Sequence, residues 1–123
     1  MAGKGTIFVV DDDNHARSLV EMILKSKGYN AVCCINGQDA LDKLKTTIPN
    51  LVLLDIMMPG LNGYDVLKAM KENPKTENIP VIMLTAKGQG DEIMEGYQHG
   101  ADYYIPKPFT TEQLIYGISL YLP

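Results

Sequence analysis

Short runs of Val, Ile, Leu and Phe alternate along the chain with segments whose apolar residues recur at helical spacing, the pattern of βα units building a parallel sheet. Five such units can be read. The first strand is predicted over Thr6 to Val10. The helix after it sets Ala16, Leu19, Val20 and Ile23 on one stripe, with Asp13 or Asn14 to cap its start and Gly28 to stop it. A second strand near Ala31 to Ile35 leads into a helix with Ala40, Leu41, Leu44 and Ile48 facing inward, ended by Pro49-Asn50. The third strand, Leu51 to Leu54, precedes a helix carrying Val66, Leu67 and Met70 and closed by Asn73-Pro74. The fourth, Val81 to Leu84, precedes a shorter helical segment around Ile93, Met94 and Tyr97, weakened by Gly96. Tyr103 to Ile105 forms the fifth strand. Thr110 and Gln113 then make a capping-box pattern ahead of Leu114, Ile115, Ile118 and Leu122.

Strands one, three and four lack polar alternation, so helices must cover both faces of the sheet. The expected fold class is therefore α/β, a five-stranded, doubly wound parallel sheet. Pro106 cannot donate to a ladder, which sends the fifth strand to an edge. With 123 residues and no repeat or linker, residues 1–123 read as one domain.

Composition narrows the partners. A net charge of -4 argues against a nucleic-acid surface, and no apolar run approaches the length of a membrane span. The expectation is a cytoplasmic protein that meets other proteins or cations, with no direct contact to nucleic acid or membrane. Cys33 and Cys34 are adjacent and lack the spacing of a disulfide framework or a zinc site, so they are expected to pack within a strand.

In open α/β sheets, ligands bind beyond the carboxyl ends of the strands, and this chain loads that edge with chemistry. Asp11 and Asp12 follow strand one, Asp55 follows strand three, Thr85-Ala86-Lys87 follows strand four and Lys107 follows strand five. Three neighbouring carboxylates repel one another unless a cation intervenes. Few, hard oxygen donors with room left for water and a phosphoryl group suit Mg²⁺ better than a Ca²⁺ cage. An EF-hand starting at Asp11 is excluded, because Ala16 and Met22 stand where Gly and Glu are needed. A carboxylate beside a cation, a lysine and a hydroxyl is equipped to attack a phosphoryl group, which makes Asp55 the candidate nucleophile. His15 and His99 read as surface residues, and Gly88-Gln89-Gly90 completes no nucleotide-binding fingerprint.

Val9-Val10-Asp11-Asp12, Asp55-Ile56-Met57-Met58-Pro59-Gly60-Leu61-Asn62-Gly63, Leu84-Thr85-Ala86 and Lys107-Pro108-Phe109 resemble the signature blocks of response-regulator receiver domains, the CheY-like family. The likeness spans essentially the whole chain. It implies the flavodoxin-like strand order 2-1-3-4-5, with Asp55 as phosphoacceptor and one Mg²⁺ held by Asp11, Asp12, Asp55 and the Met57 backbone carbonyl. It also implies that Thr85 contacts the phosphoryl group through its hydroxyl, that Lys107 pairs with it, and that the Lys107–Pro108 bond is cis. Tyr104 matches an aromatic switch residue that turns inward as the threonine moves, altering the surface formed by helix four, strand five and helix five. By the same resemblance the donor is a sensor histidine kinase or histidine phosphotransfer protein. The output is a downstream protein or a second copy of the chain, met through that surface, where Tyr116, Leu120 and Tyr121 leave the last helix apolar on more than one side. Met57 and Lys87 occupy positions that in the family modulate loss of the phosphoryl group, and an apolar Met57 predicts slow self-hydrolysis. The same resemblance implies a switch that catalyses its own modification and not an enzyme with turnover. A phosphohydrolase with an aspartyl-phosphate intermediate would carry an acid where Met57 stands, and a phosphorylation-independent scaffold would lack one of the acids or the lysine.

Overall fold

The computed structural model describes residues 4–86 and 100–122. Five parallel strands lie in the order β2-β1-β3-β4-β5: β1 (Thr6–Val10), β2 (Asn30–Cys34), β3 (Leu51–Asp55), β4 (Val81–Ala86) and β5 (Tyr103–Lys107). Four helices accompany them among the described residues: α1 (Asn14–Ser26), α2 (Gly37–Leu44), α3 (Gly63–Lys71) and α4 (Thr111–Ser119), the last being the fifth helical segment of the sequence. The predicted segment around Ile93, Met94 and Tyr97 lies outside the described residues, as do Lys87, Gly88 to Gly90 and His99.

Period-two alternation sorts the strand residues between two apolar layers. Ile7, Val9, Leu51, Leu53, Ile82, Leu84 and Ile105 meet α1 through Val20 and Leu24 and α4 through Leu114 and Ile118. Phe8, Val10, Val52, Leu54, Val81, Met83 and Tyr104 meet α2 through Ala40 and Leu44 and α3 through Val66, Leu67 and Met70. Every residue of β3 is buried, which explains its unbroken apolar run and leaves Asp55 as the polar exception at its end.

Local chemistry fixes the helix ends. Asp13 caps α1 by accepting from the His15 N–H. At the other end Gly28 adopts φ +91°, its N–H donating to the Lys25 carbonyl at 3.1 Å and that of Tyr29 to Leu24 at 3.0 Å, a Schellman motif. Asn62 with Asp65 and Thr110 with Gln113 form reciprocal capping boxes on α3 and α4.

Four expectations need correction. Leu19 is 56% exposed, because the buried stripe of α1 runs through Val20 and Leu24 and Leu19 falls on its solvent flank. Ile48 is 52% exposed: α2 ends at Leu44, since β-branched Thr46 and Thr47 and the extended backbone demanded before Pro49 do not continue a helix. Ile35 lies outside β2, its N–H donating to Asp39 Oδ2 at 3.0 Å instead of to a ladder. β4 and β5 extend further than expected and take Thr85, Pro106 and Lys107 into the sheet. Pro106 is tolerated because β5 is an edge strand. On the opposite edge, the Lys43 ammonium donates to the Cys33 carbonyl at 2.6 Å. Both cysteines are unpaired, and burial pushes the Cys34 thiol up to about 12, fitting a packing role.

Candidate functional site

Parallel pairing brings the carboxyl ends of β1, β3, β4 and β5 to one edge of the sheet. Asp11 follows Val10, whose register partner is Leu54, so Asp11 and Asp55 leave adjacent strands at the same level. Asp55 itself pairs with Leu84, the neighbour of Thr85, and Lys107 pairs with Ala86. A carboxylate oxygen from each of Asp11, Asp12 and Asp55 lies within 4.8 Å of the others. Asp11 and Asp55 are buried and Asp12 is exposed, giving a cluster with one open side.

Among the described residues, a single ammonium faces the buried pair. Lys107 Nζ lies 3.2 Å from Asp11 Oδ2 and 3.4 Å from Asp55 Oδ1. Burial pushes the Asp55 carboxyl up to about 6; Lys107 opposes the rise, while the charges of Asp11 and Asp12 add to it. Burial also pulls the Lys107 ammonium down, but the charges of Asp55 and Asp11 and its hydrogen bonds to both outweigh that and hold it above its ordinary value. With both pairs formed, three carboxylates confront one lysine among the described residues, and hard oxygen donors in negative excess suit a small divalent cation.

The remaining predicted residues take distinct places. Thr85 is buried at the end of β4, one position past the partner of Asp55. Tyr104 is buried against the α2/α3 layer, opposite Met83. Met57 lies two residues beyond Asp55 and is 59% exposed. The Lys107–Pro108 bond is cis. Gly63 opens α3 against the end of β3: an added Cβ would meet the Asp55 carbonyl oxygen at 2.5 Å and Ile56 Cα at 2.8 Å. Only glycine permits that approach.

Sequence reading passed over Arg17. Its Nη1 donates to the Asp11 carbonyl at 2.7 Å and its Nη2 to the Asn14 side-chain oxygen. The available signal was a basic residue one helical turn after the α1 cap, close behind a pair of acids.

Comparison with known proteins bears on the whole edge. The profile of the family described as "Response regulator receiver domain" matches residues 7–119. The transcriptional regulatory protein CpxR of Escherichia coli (strain K12) is 43% identical over 116 residues, covering 94% of this chain and 48% of CpxR. The phosphate regulon transcriptional regulatory protein PhoB of Pseudomonas aeruginosa is 40% identical over 115 residues, 94% of this chain and 50% of PhoB. The chain thus spans about half the length of these curated relatives. Among solved structures, a putative response regulator from Chloroflexus aurantiacus J-10-fl superposes with a TM-score of 0.91 at 31% identity, covering 94% of this chain and 95% of that one. Chemotaxis protein CheY4 of Vibrio cholerae gives 0.90 at 27% identity, covering 95% and 98%.

Proposed function

The chain belongs to the response-regulator receiver family of two-component signalling, and from that premise we propose that Asp55 accepts a phosphoryl group from a phosphohistidine in a Mg²⁺-dependent reaction. The observation that carries this reading is the meeting of Asp11, Asp12, Asp55 and Lys107 at one end of the sheet. A carboxylate oxygen of Asp55 attacks phosphorus, the P–O bond forms as the P–N bond to imidazole breaks, and the leaving imidazole nitrogen takes up a proton. Asp11, Asp12, Asp55 and the Met57 carbonyl would hold Mg²⁺, which offsets charge on the transferring group when bound. Lys107 follows the same charge from the other side, and Thr85 offers a hydroxyl from the neighbouring strand.

Phosphorylation adds about 1.5 to 2 negative charges and strong acceptor oxygens at Asp55. Thr85 and Lys107 shift toward them, and strand β5, which carries both Lys107 and Tyr104, transmits the change to the surface where Tyr116 and Leu120 stand exposed on and beside α4. That surface receives a downstream protein or a second copy. The activity is a signalling event with a histidine kinase or phosphotransfer protein as donor, without turnover of a substrate.

Incubation with acetyl phosphate, with and without Mg²⁺, tests the reading on the parent and on Asp55→Asn. Intact mass is expected to rise by one phosphoryl group only in the parent with Mg²⁺. No rise in the parent, or an equal rise in Asp55→Asn, removes Asp55 from the role.

A further inference from the structure

Arg17 sits on the first turn of α1 and is half-buried, with its guanidinium turned back over the loop that it follows. That loop carries Asp11 and Asp12, the two acids that meet Asp55. Asp11 is already held on three sides: its N–H donates to the Cys34 carbonyl at 3.2 Å, its Oδ1 accepts from the Asp13 N–H at 2.9 Å and its Oδ2 faces Lys107 at 3.2 Å. Arg17 supplies the fourth hold, on the Asp11 carbonyl at 2.7 Å, and its second nitrogen reaches the Asn14 side chain. A planar fork thus spans the turn from Asp11 to Asn14, a geometry that lysine does not reproduce.

We propose that Arg17 is a positioning residue for the cation site: by stapling the Asp11–Asn14 turn it fixes how Asp11 and Asp12 are presented and so strengthens Mg²⁺ binding. This rests on the reading of Asp11, Asp12 and Asp55 as that site. Two effects of opposite sign compete. A bare positive charge near the acids repels a cation and weakens its binding. An ordered turn strengthens binding, because ligands held by outer hydrogen bonds lose less freedom when the ion arrives. Arg17 aims its donors at neutral acceptors, a backbone carbonyl and an amide oxygen, so ordering is the effect its geometry serves.

The sign of the change therefore decides the matter. Mg²⁺ titrations followed by tyrosine fluorescence and calorimetry should show binding about tenfold weaker in Arg17→Ala, with Arg17→Lys also weakened although its charge is kept. Amide exchange at Asp13 should be faster in both metal-free variants, a readout that needs no ion. Binding as tight as the parent's or tighter in Arg17→Ala overturns the proposal, as does parent-like affinity in Arg17→Lys. Absence of Mg²⁺ binding in the parent overturns the cation reading itself, whereas unchanged Asp13 exchange overturns the staple alone.

Discussion

Lys107 Nζ lies 3.4 Å from Asp55 Oδ1, although 52 positions separate the two residues in the chain. The lysine also touches Asp11, so its removal strands two buried carboxylates. Lys107→Ala should abolish phosphorylation by acetyl phosphate. It should also destabilise the fold by about 1 kcal/mol near pH 7.5, a figure reduced for the partial exposure of the lysine, and by less near pH 5. Urea denaturation at both pH values measures this, and equal losses at both would contradict it.

Stability of the metal-free protein should fall as pH rises. The Asp55 carboxyl titrates at an ordinary 3.8 in the unfolded chain and at about 6 when folded. The folded state therefore binds more protons between those values, and the contribution present below the lower one is lost through the upper one. Full loss corresponds to about 3 kcal/mol. Asp55→Asn removes this dependence and should be the more stable protein near neutral pH, as read by denaturant midpoints across the window.

Mg²⁺ should act in the opposite direction. Cation and proton compete for the Asp55 carboxylate, so the ion stabilises little near pH 4.5 and more near pH 7.5. At ten times its dissociation constant it should contribute about 1.4 kcal/mol in the upper range. Thermal shift with Mg²⁺ against an ionic-strength control checks this. A shift independent of pH, or one retained by Asp55→Asn together with Asp12→Asn, would sink it.

Gly63→Ala should damage both stability and chemistry. The new methyl drives into the carbonyl of Asp55 itself, and backbone gives way less readily than a side chain. A destabilisation of about 1 to 3 kcal/mol is expected, with a slower approach to full phosphorylation. Gly60→Ala offers a contrast: nothing lies within 4 Å of its added Cβ, and its penalty comes from φ +75° alone.

Met57 stands exposed two residues beyond Asp55 and offers an attacking water no strong hydrogen bond. The phosphorylated protein should lose its phosphoryl group slowly, and Met57→Asn should hasten that loss several-fold. Intact mass followed over time gives both rates. Loss within seconds in the parent would refute the expectation.

The sheet was legible because its inner strands β1, β3 and β4 are buried on both faces and so written as unbroken apolar runs, each ending in a polar residue. Asp11 and Asp55 stood out for that reason, and Lys107 for following the short apolar run of the edge strand β5. Helix faces were less legible. Leu19 and Val20 are adjacent and equally apolar, and only packing against Ile7 and Val9 decides which one is covered. Ile48 fits the period of α2, but the period says nothing about where the helix stops. Arg17 escaped notice because its role depends on a guanidinium folding back onto a carbonyl, and backbone carbonyls carry no mark in a sequence.

Both margins of the sheet carry a device against a sixth strand. On one side Pro106 withholds an amide hydrogen, and on the other Lys43 occupies the carbonyl of Cys33. An incoming extended segment would find either border partly deprived of partners, so self-association by strand addition is discouraged. Copies of this protein that meet in a crowded cell are thereby steered toward contacts made by helical side chains, which the proposed phosphorylation would adjust, and away from β-linked polymers, which it would not readily undo.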